Sequence, residues 1–352
     1  MTFLTYNCQK LKKMKIYCNI DLDGRNFEGR TQLALAITKY LQDQGYTFTN
    51  DPAEADLIHF HSSGIGDSYR AYQLKRKYNL PVIYSLYSNA QTSWLMHPIN
   101  FLIQGIYFQK TATKFLASYS AAIPLRWRAH FLQRLDKVIV PSTYLKQKLY
   151  PNTEVITLGV NPEKYKPLEK KQAKKAKAVK IAYFGHPGVF KGLNDFVQAS
   201  KLFGKELETH VFLTQRFEKV DQYIQKHNPQ IKIHGFVEDL VAMYNEMDII
   251  VLPYRMEIGT VANPLVLLEA MACGKAIITT DHEFIKEIVQ DSAIVVKKNS
   301  PHSIAKAVQS LAKDLAQRKN VGEGARKIVV ERYNLTKMLE KYHQLYQAYE
   351  KK

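Results

Sequence analysis

One alternation runs the length of this chain and limits what it can fold into. In the second half, runs rich in β-branched and aromatic residues (VKIAYFG, THVFLTQ, QIKIHGF, DIIVLPY, KAIITTD, SAIVVKK) alternate with stretches of helical spacing (GLNDFVQASKLF, FEKVDQYIQKH, EDLVAMYNEM, PLVLLEAMAC). The first half repeats the pattern. KIYCNI, ADLIHFHS, LPVIYSLYS, LDKVIVPS and TEVITLGV read as strands, and GRTQLALAITKYLQDQGY, YRAYQLKRKYN and TYLKQKLYP as helices. Strand, helix and strand in repetition imply parallel pairing, because a crossover must carry the chain back before the next strand can run the same way. At 352 residues the chain exceeds one ordinary core. The expected fold is therefore α/β, with two doubly wound parallel-sheet units in succession.

The expected boundaries are a tail at 1–13, a first domain at 14–160, a linker at 161–180 and a second domain from 181. The linker, NPEKYKPLEKKQAKKAKAVK, holds two prolines and eight lysines and reads as exposed. Residues 301–352 are helical in pattern throughout. In doubly wound sheets ligands bind beyond the carboxyl ends of the strands, so the default site is the cleft between the two units.

A chain with 46% hydrophobic and 23% charged residues is globular rather than disordered. Cys8, Cys18 and Cys273 lie far apart with no CxxC pair. That argues against a disulfide framework or a zinc site and suits a reducing cytosol. No apolar run approaches the roughly 18–20 residues of a spanning helix, and the N-terminus lacks the apolar core of a signal peptide.

The net charge of +18 is uneven: +9 over 1–160, +6 over 161–180 and +3 over 181–352. The expected partner is an anionic surface. From Ser68 to Leu135 there are nine Lys or Arg and no Asp or Glu. There NFLIQGIYFQKTATKFLASYSAAIPLRWRAHFLQR mixes aromatics, leucines and cations, which suits a helix at a membrane interface. A core-packed helical pair with a basic outer face is the alternative. Trp94 and Trp127 read equally as interfacial anchors or core. No nucleic-acid reading motif is present, and no nucleic-acid partner is expected.

Three stretches carry chemistry. In PLVLLEAMACGKAII, Glu269 is a lone acid about a turn and a half into an apolar helix that starts near Pro264, just after a strand and a polar loop. The free N–H groups at that start suit an anion, and Glu269 there can accept hydrogen bonds from sugar or ribose hydroxyls. An acid reaching solvent or pairing with a neighbour is the alternative. In FGHPGVFKGLNDF, a strand ends at Gly185 and Lys191-Gly192 opens a helix, which places a lysine to neutralise a diphosphate. The spacing is not a Walker loop, and a solvent-exposed lysine fits as well. In DLDGRNFEGRTQ, Gly24 and Gly29 allow tight turns, and Arg25 and Arg30 bring charge to a strand-to-helix loop.

Taken together, these segments resemble the GT-B glycosyltransferases, in particular the large retaining family 4. The resemblance runs from about Lys15 to Tyr346 and rests most on DIIVLPY and PLVLLEAMACGKAIITTD. YFGHPGVFKGLNDFVQA, IKIHGFVEDLVAMYNEMD, DLIHFHSS, LDKVIVPSTYLKQKL and ITLGVNPEKYKP support it. It implies two Rossmann-like domains facing a cleft, a donor domain at 181–334 and a terminal helix, 335–352, that crosses back to the first domain. It implies that Glu269 holds the nucleotide ribose and Lys191 the donor diphosphate. Val237 and Glu238 would lie at the base. Asn263, Pro264 and Leu265 would face the phosphates, and Gly29 and Arg30 would close over the donor.

Three positions depart from the family pattern. Val261 stands where the first glutamate of E-x₇-E is usual, with Glu257 four residues earlier. His186 stands where an arginine is usual, and Tyr87 where a sugar-contacting histidine ends a strand. Subgroups reading roughly PPLSLLEAMA at NPLVLLEAMA are similar.

The implied mechanism is electrostatic: Lys191, a second basic group (His186 or Arg255) and the helix start stabilise the leaving diphosphate. No cofactor or metal is expected, and no DxD motif stands out. The donor would be a nucleotide diphosphate sugar. The acceptor would be a lipid-linked or envelope glycan at the cytoplasmic membrane surface, with His61 and Tyr87 on the acceptor or sugar side. A GT-B-shaped binding subunit without catalysis is the competing reading; an epimerase on the same fold matches the segments less well.

Overall fold

The structure, a computed structural model, describes residues 14–20, 29–62, 65–87, 125–147, 152–168, 178–255 and 264–350. The first unit contains β1 (Lys15–Cys18), α1 (Gly29–Asp43), β2 (Thr47–Thr49), β3 (Leu57–Ser62), α2 (Ile65–Tyr78), β4 (Val82–Leu86), α3 (Leu125–Leu132), β5 (Lys137–Val140), α4 (Thr143–Gln147) and β6 (Thr153–Val155). Its sheet has the order β2-β1-β3-β4-β5-β6, with every pair parallel.

The second unit contains β7 (Val179–Gly185), α5 (Leu193–Ser200), β8 (Leu207–Leu213), α6 (Glu218–His227), β9 (Lys232–His234), α7 (Leu240–Glu246), β10 (Ile249–Leu252), α8 (Leu265–Ala272), β11 (Ala276–Thr280), α9 (Glu283–Val289) and β12 (Ile294–Val296). Its order is β12-β11-β10-β7-β8-β9, again all parallel. Helices α10 (Pro301–Lys313), α11 (Leu315–Arg332) and α12 (Leu335–Glu350) complete the chain.

Period-two alternation builds the second core. Ile249 and Val251 pack on one face with Ile181 and Ile278, while Ile250 and Leu252 pack on the other with Leu267 and Ile277. Both faces are buried, so the strands carry apolar residues on both sides. Strand order reverses between β7 and β10, and the chain passes to opposite sides of the sheet from these neighbours. The crevice at their carboxyl ends is where such a sheet leaves room for a ligand.

The sequence reading leaves out β2, a three-residue edge strand, and α9, although the buried Phe284, Ile285, Ile288 and Val289 of α9 recur at helical spacing. The expected linker is corrected at both ends. Val179 and Lys180 are strand, paired with Leu207 and Glu208. Residues 161–168 are stitched to the second domain: Leu168 N donates to Asn245 Oδ1 at 3.0 Å, and Arg326 Nη1 donates to Tyr165 O at 3.1 Å. Backbone donors and acceptors met by side chains make this stretch a fixed arm rather than a loose tether. Residues 169–177 and the tail at 1–13 lie outside the described residues.

The final helix α12 packs on the first sheet, with Met338, Tyr342 and Tyr346 against Ile16, Ile37 and Ile83. The chain passes between the domains twice, and the two crossovers touch. Val160 N donates to Tyr333 O at 2.9 Å and Leu335 N to Val160 O at 3.0 Å. A Cβ at Gly159 would lie 2.6 Å from Asn334 C, so only glycine lets the two backbones approach this closely. A carboxylate joins the domains farther out: Glu287 on α9 accepts from Thr143 N at 2.8 Å and Tyr144 N at 3.0 Å, at the start of α4.

Candidate active site

A cavity of about 240 Å³ lies between the two domains at the β7/β10 crevice. Leu33 on α1 and Leu158 line it from the first domain. Gly185, His186, Lys191 and Tyr254 line it from the second, with Pro264, Leu265 and Val266 at the start of α8.

The backbone after β7 is shaped to bring Lys191 here. Gly185 has φ +153, and the turn that follows is held through the His186 carbonyl, which accepts from Tyr183 Oη at 2.8 Å and Gly188 N at 2.7 Å. A 3₁₀ turn, Val189–Lys191, then leads into Gly192 at φ +78. Lys191 Nζ lies 5.4 Å from the Tyr254 ring centroid, a cation–π arrangement. Burial pushes the Lys191 amine down to about 8.

Across the cavity, Pro264 caps α8 in extended conformation without a side-chain cap. Leu267 and Leu268 are the first to donate back, both to the Pro264 carbonyl, so the Leu265 and Val266 amides precede the first intrahelical bond. A half-buried lysine and an open helix start on one cavity form a site for a diphosphate.

The structure thus brings Gly185, His186, Lys191, Pro264 and Leu265 together. Gly29 opens α1, and Leu33, one turn later, lines the cavity. The Arg30 side chain lies outside the described residues, as do Asn263, Val261 and Glu257. Val237 and Glu238 follow β9 and are not among the residues that line the cavity; Val237 packs against the second domain's core and Glu238 is exposed.

Glu269 is partly buried, one helical turn beyond Leu265 and Val266 on the same side of α8. Its Oε2 accepts from Tyr244 Oη at 2.9 Å, and the Tyr165 ring lies 6.5 Å from the Tyr244 ring. Burial pushes this carboxyl up, and the Tyr244 phenol opposes the shift. Neither tyrosine has a motif that could have flagged it from sequence. Tyr254 could have been found: it follows the strand in DIIVLPY, at the carboxyl end where ligands sit.

Three expected positions are corrected. Arg255 does not line the cavity. It pairs with Asp195 at 2.9 Å and donates to Asn299 Oδ1 at 2.8 Å, while its amide holds Phe190 O at 2.9 Å. It supports the Lys191 turn. Arg255→Ala is expected to lower stability by about 1–2 kcal/mol by leaving the buried Asp195 unpaired. Adding Asp195→Asn should recover most of that loss in urea unfolding.

His61 and Tyr87, expected on the sugar side, are 8% and 2% exposed. Their side chains hydrogen-bond each other at 2.7 Å. Beside them His59 bonds Tyr346 and, at 2.8 Å, Ser85, whose hydroxyl meets Tyr342 at 3.0 Å. Burial holds both imidazoles well below their usual range and hence neutral. These residues fasten α12 to the first sheet; the polar groups of an interior helix contact must find partners there.

Two doubly wound domains facing a cleft define the GT-B class, and comparison with known proteins agrees. Residues 178–314 match the family model described as glycosyl transferases group 1. An uncharacterized glycosyltransferase, MJ1069 of Methanocaldococcus jannaschii, is 26% identical over 234 residues, 61% of this chain and 59% of that protein. The capsular polysaccharide biosynthesis glycosyltransferase CapM of Staphylococcus aureus is 24% identical over 183 residues, 48% of this chain and 46% of that one. The matches thus span about half to three-fifths of these curated relatives.

Among solved structures, sucrose-phosphate synthase of Thermosynechococcus elongatus superposes with a TM-score of 0.74 at 17% identity, covering 95% of this chain and 98% of that one. Anabaena HepE in complex with UDP gives 0.70 at 14%, covering 96% and 100%. At these identities the likeness concerns the fold.

Proposed function

We propose that this protein is a retaining glycosyltransferase. It moves a hexosyl group from a nucleotide diphosphate sugar to a lipid-linked or envelope-glycan acceptor at the membrane surface. One observation carries the reading: Lys191 and the open start of α8 meet on the interdomain cavity at the β7/β10 switch point. When the bond between the sugar and the diphosphate breaks, negative charge grows on the leaving oxygens. A positioned amine and helix dipole between the two domains stabilise that charge more than the ground state. His186 lies on the same cavity and is the second basic group. The protein's own charges serve the leaving group, and the reaction calls for no metal.

Structures of HepE hold UDP and UDP-glucose, which supports a uridine donor. CapM is named for capsular polysaccharide biosynthesis, which supports a cell-envelope acceptor. Among the described residues no helix is long and apolar enough to cross a membrane. The proposed membrane contact is made by the basic first domain. Its described part includes Lys75, Arg76 and Lys77 in the last turn of α2 and exposed Tyr69, whose ring lies tilted 5.1 Å from that of Phe131. The rest of the aromatic and basic stretch, 88–124 with Trp94, and the Trp127 side chain, lie outside the described residues.

The test is turnover of a panel of UDP- and GDP-sugars, with the product's anomeric configuration read by NMR. Transfer with retention is expected. Binding without turnover would favour the non-catalytic binding subunit instead. Co-sedimentation with anionic vesicles at low salt tests the membrane assignment, which fails if the protein stays in the supernatant.

A further inference from the structure

We propose that Tyr254 is a positioning residue for Lys191: the face of its ring holds the amine at the place on the cleft where the donor diphosphate is received. The inference rests on reading the cleft as a nucleotide-sugar site.

Two three-residue stretches meet beside the cavity, 190–192 after β7 and 253–255 after β10. Arg255 N donates to Phe190 O at 2.9 Å. At the other end Gly192 lies against Pro253, whose carbonyl oxygen leaves no space for a side chain. Lys191 and Tyr254 are the middle residues of the two stretches. Both line the cavity, and the amine stands 5.4 Å from the ring centroid. At that separation a cation is drawn to the negative face of the ring.

The ring's own backbone is anchored. The Tyr254 carbonyl accepts from Thr280 Oγ1 at 2.6 Å, at the end of β11, and from His282 Nε2 at 2.9 Å, just before α9. Next to it the Arg255 side chain is held by Asp195 on α5 and by Asn299. A lysine stem seated on a fixed ring gives up its freedom in the resting protein, and less is lost when a donor arrives. A ring also attracts the cation without cancelling its charge. A carboxylate in the same place would neutralise the amine that a diphosphate needs.

Burial disfavours the charged amine, and the ring face opposes that effect. The other titratable groups on the cavity are Tyr183 and His186, on the β7 side; among the described residues, what lines it from α8 and the first domain is apolar. Asp195 and Arg255 face each other as a pair beside the turn. All of these are retained in the Tyr254 variants.

The experiment has two arms, both on the full chain. In the first, NMR follows the Lys191 side chain through a pH titration without ligand, its signal assigned by its absence from Lys191→Ala. The unaltered protein should titrate at about 8. In Tyr254→Leu the midpoint should fall by about half to one pH unit, because leucine keeps the burial and loses the ring face. Tyr254→Phe keeps that face and should titrate like the unaltered protein. Trifluorophenylalanine at the same position keeps the ring's shape and depletes its face of charge, so its midpoint should fall between the two. Thermal melts confirm folding, and if Tyr254→Leu does not fold the fluorinated ring carries the test.

In the second arm, calorimetry measures UDP binding, with GDP in parallel. Tyr254→Leu should weaken binding at pH 8 by about threefold to tenfold, and the alkaline fall in affinity should begin at lower pH. In a Lys191→Ala background the same substitution should change affinity by less than about twofold, because the ring acts through the amine. An unchanged Lys191 titration in Tyr254→Leu and in the fluorinated variant, with nucleotide binding intact, overturns the positioning role alone. So does an equal loss in Tyr254→Phe and Tyr254→Leu, which would assign the effect to the hydroxyl. If the unaltered protein binds neither UDP nor GDP, the donor-site reading fails and the positioning role falls with it.

Discussion

Lys191→Ala is expected to lower kcat/KM for the donor sugar by about a hundredfold to a thousandfold, the scale seen when one positioned stabiliser of transition-state charge is removed. The loss should fall mainly on kcat, because the leaving diphosphate gains charge as the bond breaks. The same residue sets a pH limb. With the Lys191 amine at about 8 in the free protein, the cation is present below that pH and lost above it. A bound diphosphate favours the charged form, so binding above pH 8 must take up a proton. Donor affinity should be level from pH 6 to 7.5 and then fall by at most tenfold per pH unit. The fall should vanish in Lys191→Ala. Calorimetry across that range checks both statements.

Gly192→Ala should be the most disruptive small change near the cleft. The backbone there has φ +78, and an added Cβ would sit 1.8 Å from the Pro253 carbonyl oxygen. A contact that short forces the turn away from β10, and side chains rarely adopt that φ. A loss of about 2–4 kcal/mol is expected in urea unfolding. Residual folded protein should also be slow, because displacing Lys191 by an ångström costs on the order of a hundredfold. Gly188→Ala, three residues before Lys191, is the control. Its added Cβ meets nothing closer than 3.6 Å, at His186 Nδ1, and both stability and rate should hold.

These two neighbours show what the sequence could and could not convey. The strand-to-helix turn and its lysine were legible, because Gly185, Lys191 and Gly192 follow a strand of clear pattern. The reason Gly192 is glycine was not: it depends on Pro253, more than sixty residues away. The same holds for Arg255, whose charge suggested a ligand. A carboxylate on α5, Asp195, claims it, and sequence proximity does not reveal such a partner.

His61 and Tyr87 ended strands at the expected end of the first sheet. Their burial is set by α12, which arrives from the far end of the chain and covers them. Local pattern reports which residues leave a strand and says little about what lies on top. Glu269 was legible as an acid on an apolar helix, and the structure keeps it one turn behind the cavity lining. Tyr244, which holds it, comes from a separate element, α7, and sequence proximity does not reveal that donor.

A crystal structure of the protein soaked with UDP-glucose tests the central claim most directly. The account predicts a diphosphate within hydrogen-bond reach of Lys191 Nζ and of the Leu265 and Val266 amides, with the sugar directed into the interdomain cavity. A nucleotide bound elsewhere, or bound in the cleft with its diphosphate turned away from Lys191, would contradict it.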